Sequence, residues 1–351
     1  MSSTLTKIRH TANKMRLTLL YFRRIVFVKN RFDVSPLTKI RMNIGGGYLA
    51  DQYVLYDFKH RNKKEYLSEF DWYRSRYINA PFDKMLNNKI VCNEVLQQYV
   101  KVPEIYVIKT KGILTRVGKS VIPYEEVLDI IEEKKELFIK PYGAGKGIGV
   151  MKLSYVDGKF YIDEMETSRE EMLKYLEDRN NYLLCQGIKQ GKYSASFYDK
   201  TVNTIRFITF RDIETEEFRV FFACQRIGTK ETIPVDNGSR GGLVAKIDLE
   251  TGELSEARSL HSLDVHEVHP DSGNPIKGVV VPNWEDIKKQ MVDLANKLPY
   301  MSFIAWDMVI EDDGICIIEA NTSSGVNIIQ LWGGQRYGEL GDFYRHHNVK
   351  V

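Results

Sequence analysis

A two-lobed α+β architecture, with strands grouped around isolated helices, is the fold class that this sequence predicts. Three observations lead to it. Short apolar segments with strand-like alternation recur between residues 104 and 254 and are broken by only a few helical patterns. Residues 137–150, LFIKPYGAGKGIGV, run from an apolar strand through a glycine-rich turn into a second strand, and residues 303–321, FIAWDMVIEDDGICIIEAN, read as a buried hairpin. A chain of 351 residues that is 43% hydrophobic and 28% charged is long enough for two lobes with a sizeable shared core. The expected division is a helical N-terminal region (1–80), a first lobe carrying the glycine loop (81–182) and a second lobe carrying the hairpin (183–351).

The N-terminal region is the most unevenly charged part. Residues 1–32 hold eight basic side chains and no acid, interleaved with Leu17, Leu19, Leu20, Phe22, Ile25 and Phe27. Arg23 and Arg24 interrupt the apolar run, so it is too short to span a bilayer, and no small-residue cleavage site follows it. Such a basic amphipathic segment can lie peripherally on an anionic membrane surface, or pack on its own domain with its charges in water. A net charge of +3, with no zinc-finger or RNA-recognition pattern, gives no reason to expect a nucleic-acid partner. Cys92, Cys185, Cys224 and Cys316 are scattered without a CxxC pair, which argues against a disulfide framework and points to a reducing, cytoplasmic setting.

Residues 60–78 and 83–99 read as helices, the second with Leu86, Val95, Leu96 and Tyr99 on one face and ended by Val102 and Pro103. Strands are expected at 104–109 and 113–121. Pro123 then opens a helix at its first turn, with Val127, Leu128 and Ile131 facing the core. Strands around 137–141 and 148–163 enclose the glycine loop, and Ser168 N-caps a helix that runs through Leu176. Residues 182–254 are mostly strand. A polar loop follows, before Asn283 caps a helix carrying Ile287, Met291, Leu294 and Leu298.

In the glycine segment, Lys140 sits on the strand, where its charge can reach phosphate. Gly143, Gly145, Gly147 and Gly149 leave backbone N–H groups free to approach anionic oxygens. A P-loop is excluded because Lys146 is followed by Gly147 and a strand, and the spacing of Gly143, Gly145 and Gly149 misses a dinucleotide-binding turn by one residue. A glycine-rich hairpin with no ligand is the alternative, and the downstream residues decide between them.

In the hairpin, Asp312, Asp313 and Gly314 suit a three-residue loop with glycine in the left-handed position, the two acids being solvated turn residues. Counting back from Glu311 opposite Ile315 places Asp307 opposite Glu319, and Asn321 falls on the same face. Two carboxylates and an amide oxygen form the oxygen-only donor set that magnesium takes together with phosphate oxygens. The alternative, an acid that merely caps a loop, leaves a carboxylate buried in an apolar strand without a cation, which is costly.

With Lys140 on a strand, a glycine loop after it, and Asp307, Glu319 and Asn321 near the C-terminus, the chain resembles an ATP-grasp enzyme. More narrowly, VNTIRF at 202–207, VDNGSRGGL at 235–243, HPDSG at 269–273 and the WD…IEAN residues of 306–321 resemble the sugar-transfer-associated ATP-grasp family, which is found with polysaccharide biosynthesis genes. The resemblance extends over roughly residues 50–340. It implies the ATP-grasp fold, with ATP between two α+β lobes, and an activity that joins a carboxylate to an amine through an acyl phosphate, with ATP and Mg²⁺ as cofactors. It implies that Lys140 contacts the adenine side and the α-phosphate, and that the loop with Gly143, Gly145, Lys146, Gly147 and Gly149 closes over the β- and γ-phosphates.

By the same resemblance, Lys84 or Lys89 is the earlier phosphate lysine, and Gln186 and Ile188 lie in the linker whose backbone reads adenine. Asp307, Glu319 and Asn321 would hold magnesium. Arg206 is the arginine expected at the transferring phosphate, where its planar fork suits anionic oxygens, with Arg226 and Arg240 as lesser candidates. The sequence departs from the family pattern at Gly187, where glutamate is common, and no ribose-binding acid is identified. His261, His266 and His269 match no zinc spacing and are expected to form an acceptor-contacting lid. The expected substrates are sugars or amino acids of surface polysaccharide synthesis. The rival readings are a phosphotransferase acting on a sugar hydroxyl and a nucleotide-sensing accessory of a glycosyltransferase complex.

Overall fold

Two antiparallel seven-stranded sheets form the two lobes in the computed structural model, which describes residues 3–118, 121–143 and 149–351. The first sheet contains β1 (Ile105–Thr110), β2 (Ile113–Arg116), β3 (Glu136–Pro141), β4 (Met151–Val156), β5 (Lys159–Ile162), β6 (Met165–Thr167) and β7 (Tyr182–Cys185), in the order β2-β1-β7-β3-β4-β5-β6. The second contains β8 (Ile205–Arg211), β9 (Phe218–Ile227), β10 (Leu243–Ile247), β11 (Leu254–Ser259), β12 (Val265–His266), β13 (Phe303–Glu311) and β14 (Gly314–Asn321), in the order β12-β11-β10-β9-β8-β13-β14. The two-lobed α+β class expected from the alternation is what the chain adopts.

In the first lobe the apolar alternation of β3 sends Leu137 and Ile139 into the core, where they meet Val127, Leu128 and Ile131 of the helix Tyr124–Lys134 and Met172 and Leu176 of the helix Arg169–Asp178. Glu136, Phe138 and Lys140 therefore share the opposite face. Pro123 is the N-cap of its helix and lies just outside the first turn. Ser168 forms a capping box with Glu171. The far end of that helix is closed by a fully buried lysine. The Lys109 ammonium donates to the carbonyls of Leu176 (3.0 Å) and Glu177 (2.7 Å), with the rings of Tyr124 and Tyr182 beside it. A positive charge at a helix C-terminus satisfies carbonyls that have no intrahelical donor.

The second sheet has two different faces. One packs the helix Trp284–Asn296, through Ile287, Met291 and Leu294, and the helix Lys89–Leu96, through Cys92 and Leu96. The other buries Ile208, Phe210, Cys224, Val244 and Ala305 under Val326, Leu340, Phe343 and Leu67. Two expected boundaries shift as a result. The helix Lys89–Leu96 belongs to the core of the second lobe, and β7, which straddles residue 183, pairs within the first.

Several elements are shorter than their periodicity suggests. The helix expected at 83–99 starts only at Lys89, because Asp83 and Asn87 bond to Thr322 instead of to a helical ladder, and the Asn88 side chain caps Ile90 and Val91. The helix expected at 60–78 is limited to Glu69–Ser75, since the Leu67 N–H is taken by Gln330 and Ser68 starts a capping box. Asn283 is left-handed and makes no side-chain cap, so the helix after it begins without one.

The N-terminal region is helical as expected, with helices Ser3–Tyr21 and Pro36–Ile44 joined through a π-helical turn Phe22–Val26. No helix among the described residues is long and apolar enough to cross a membrane. Polar clasps bind the segment 52–79 to the second lobe. Asn327 accepts from Gln52 and Tyr56 (both 2.6 Å), Asn79 donates to the Phe303 carbonyl (2.6 Å), and the buried Asp71 pairs with Arg74 and with Arg336 (2.6 Å). Removing a buried charge from such a clasp leaves its guanidinium partners uncompensated. Asp71→Ala should lower the unfolding free energy by about 3 kcal/mol, read as a lower urea midpoint with unchanged slope.

Candidate active site

The face of the second sheet that is apolar at one end becomes charged at the other. Alternation puts Arg206 of β8, Cys224 and Arg226 of β9, Asp307 of β13 and Glu319 of β14 on this face, and register sets three of them in a row: Arg206 opposite Asp307, and Asp307 opposite Glu319. Asn321, opposite Ala305, extends the row. The pairing of Asp307 with Glu319 is as expected, but its route differs. The hairpin loop has two residues, with Glu311 opposite Gly314, and a bulge at Ile318 restores the alignment.

Asp307 is 8% exposed and is not an isolated carboxylate. Arg206 Nε lies 2.9 Å from Oδ1, Arg206 Nη2 donates to Oδ2 at 3.2 Å, and Arg226 Nη1 is 3.2 Å from Oδ1. The cation that a buried acid requires is thus supplied by two guanidiniums, so burial alone does not demand a metal. Arg226 also pairs with Asp236 at 2.8 Å, and Asp236 Oδ2 accepts the N–H (2.8 Å) and the hydroxyl of Thr204. Desolvation acts to lower the Arg226 pKa, but the charges of Asp236 and Asp307 outweigh it and hold the guanidinium positive. Glu319 is the more accessible acid, with Lys89 Nζ 3.8 Å from Oε2.

These residues fit magnesium on two observations. The donors are oxygens only, the type magnesium takes, and Glu319 is left accessible to an ion. Asp307, Glu319 and Asn321 would hold the ion. Among the described residues no group of three or more His, Cys, Asp or Glu side chains is placed to hold a metal ion.

Lys140 lies on the face of β3 that points away from the first core. Its charge reaches Cys316, which shares the site face of β14: burial pushes that thiol up to about 12, Glu311 adds to the rise, and Lys101 and Lys140 oppose it. Lys140 Nζ lies 6.0 Å from the centre of the Phe138 ring on the same strand face. Gly149 has a positive φ (74°) and a Cβ there would lie 3.0 Å from Pro141, whereas Gly143 faces open space. Gly145, Lys146 and Gly147 lie outside the described residues. Of the two lysines proposed for phosphate, Lys89 is at the site beside Glu319, and Lys84 is exposed.

The linker after β7 leaves the first sheet with the Gln186 N–H bonded to the Glu104 carbonyl (2.8 Å) and docks on the β13–β14 turn. The Gly191 N–H bonds to the Ile310 carbonyl (2.9 Å) and the Lys192 N–H to Asp312 Oδ1 (2.8 Å), so Asp312 is a docking residue as well as a turn residue. Between Gln186 and Ile188, Gly187 lies against Phe138 and Glu136. A Cβ on Gly187 would lie 2.9 Å from the Phe138 ring and 3.2 Å from Glu136, which accounts for the glycine at this position. Replacing it with the glutamate of the family pattern forces the ring aside. Gly187→Glu should cost about 1–3 kcal/mol, seen as a lower thermal midpoint.

His269 anchors its loop instead of contacting an acceptor. Buried and stacked on Tyr198 (4.9 Å), it accepts the N–H groups of Asp271 and Ser272 at Nδ1 and donates from Nε2 to the Gly228 carbonyl (2.7 Å). His261 instead meets Arg31 (2.7 Å). Arg240 is exposed. The sequence reading missed the role of Asp236, whose place in VDNGSRGGL carries no signal of a guanidinium partner. Burial lowers the His269 pKa, so the neutral ring favours the fold: its contribution is full above about pH 6.5 and is lost as pH falls through the depressed folded value. Urea midpoints measured on either side of that window should fall in acid for the wild type and less so for His269→Gln.

The model of the sugar-transfer associated ATP-grasp family matches residues 70–339. A search of curated proteins finds no sequence match. Among solved structures the chain is similar to an N5-carboxyaminoimidazole ribonucleotide synthetase with ADP (14% identity, 69% of this chain and 46% of that one, TM-score 0.40). It is also similar to the VanG D-Ala:D-Ser ligase from Enterococcus faecalis (14%, 70% and 55%, 0.39) and to the ATP-grasp ligase PsnB with its minimal precursor (14%, 77% and 64%, 0.42). The chain thus matches about half to two thirds of the length of these structures. Over residues 70–339, which hold both sheets and every described residue of the charged row, the protein belongs to the sugar-transfer associated ATP-grasp family.

Proposed function

We propose that the protein is an ATP- and magnesium-dependent ligase that joins a carboxylate of a sugar acid or amino acid to an amine, in the building of surface polysaccharide. The observation that carries this reading is the charged row itself. Arg206 and Arg226 stand against Asp307 on one sheet face, Asp236 of the loop before β10 pairs with Arg226, and Lys89, from the helix Lys89–Leu96, reaches Glu319. Such a face suits a polyanion accompanied by a divalent cation.

In the first step a donor carboxylate oxygen attacks the γ-phosphorus, the bond to the β–γ bridging oxygen breaks, and ADP leaves with that electron pair. In the second the amine nitrogen attacks the acyl carbon, phosphate leaves, and the amine proton passes to water. Arg206, held by Asp307 at two points, offers its remaining N–H groups to phosphate oxygens without having to be ordered during reaction. Arg226, fixed between two carboxylates, positions Asp307. Magnesium bound at Asp307, Glu319 and Asn321 supplies neutralisation of phosphate charge. No side-chain nucleophile is required, since alignment of donor and phosphate provides most of the acceleration.

Glu319→Gln should abolish ADP release while the thermal midpoint stays within about 2 °C; near wild-type turnover would remove the metal assignment. Arg206→Met should lower kcat by about 100- to 1,000-fold. A coupled ADP-release screen of amino acids crossed with uronic and amino sugars, with products weighed by mass spectrometry, tests the reaction class. An amide product supports the ligase. A stable phosphorylated sugar formed without amine would instead identify a phosphotransferase, and ATP binding without ADP formation on any acceptor a sensor.

A further inference from the structure

We infer that the outer face of the two N-terminal helices is a docking surface for an anionic lipid bilayer, lying in the plane of the headgroups. This inference is independent of the proposed reaction. Met15, Leu19 and Phe22 follow at helical spacings of four and three on the outside of the first helix and its π-turn. Leu37, Ile40 and Ile44 do the same on the helix Pro36–Ile44. These six side chains and Phe27 are between 47 and 76% exposed.

The inner faces of both helices rest on one platform. Tyr21 packs edge-on against Phe70 (5.1 Å) and donates to the Asn43 carbonyl, Lys39 ties the second helix to the Val28 carbonyl (3.1 Å), and Ile25 and Met42 are buried. Phe27, stacked on Phe22 at 6.0 Å, adds to the apolar outer face of the first helix.

Charge identifies the occupant. Residues 1–50 carry ten basic side chains and one acid, a net of +9, so the remainder of a chain whose total is +3 carries a net of −6. Lys14, Arg23, Lys29 and Arg41 are exposed beside the apolar residues, and among the described residues none of them is ion-paired with an acid. Exposed apolar side chains interleaved with long basic ones, which can keep their charges at headgroup level while the apolar groups enter the acyl boundary, match an interfacial surface. The acidic remainder is repelled by the same leaflet, so one orientation is favoured.

The test is flotation of the full chain with phosphatidylcholine vesicles, alone or with about one-third phosphatidylglycerol. The expected result is at least about tenfold stronger partition to the anionic vesicles, weakening as salt is raised. A Leu19→Glu/Phe22→Glu double variant should lose about tenfold of that partition with its thermal midpoint unchanged, because both positions are exposed. Reversing two charges with Arg23→Glu/Lys29→Glu should remove the preference for anionic lipid while the fold persists. A Phe27→Trp reporter should shift its emission to the blue on anionic vesicles alone. Equal partition to both vesicle types, or undiminished binding by either double variant, overturns the inference. So does self-association abolished by Leu19→Glu/Phe22→Glu without vesicle binding, which would make the face a protein interface.

Discussion

The arrangement of the second lobe depends on how one buried negative charge is held. Asp307 lies in a strand that is otherwise apolar, and a carboxylate there is tolerated only because Arg206 and Arg226 stand against it from β8 and β9. Arg226 in turn needs Asp236, and Asp236 needs the Thr204 backbone and hydroxyl, so the loop before β10 is tied to the middle of the sheet. The row is electrically balanced, with three basic and three acidic groups. A balanced row can accept a further polyanion and its cation together at less cost than either alone, since neither then leaves a large unbalanced charge.

The same sheet face explains why the N-terminal region is folded onto the second lobe. Beyond Asn321 the face is apolar and would be exposed without the C-terminal helices and Leu67. Asp71, Gln52 and Tyr56 supply the polar half of that cover through Arg336 and Asn327. The N-terminal helices are thus anchored through a segment whose own inner side is committed to the lobe.

Much of this was legible in the sequence where local rules and the fold agree. Ser168 with Glu171 names its helix start, the nearly unbroken apolar run of FIAWDMVIE names a buried strand, and the pairing of Asp307 with Glu319 follows from counting along two strands. That count succeeded although the loop is one residue shorter than expected, because the bulge at Ile318 compensates; a one-residue register error would have turned Glu319 into the opposite core. What was not legible depends on distant partners. Asn88 starts its helix late because Thr322, more than two hundred residues away in sequence, takes the groups of Asp83 and Asn87. His269 looked like a contact residue because its stacking on Tyr198 and its bond to Gly228 have no local signature.

The route of the chain between the lobes has a mechanical consequence. Gln186 is pinned to the first sheet by the Glu104 carbonyl, Gln190 is pinned to the second lobe through Asn203 and the Thr201 carbonyl, and Gly191 and Lys192 are fastened to the hairpin turn. At this crossing, one of two (the other is residues 97–104), the stretch between the fastened ends is Gly187, Ile188 and Lys189. Gly187 is packed against Phe138, so this stretch rubs against an aromatic ring on the cleft wall, and whatever occupies the space in front of that ring also sets how freely the two halves can close.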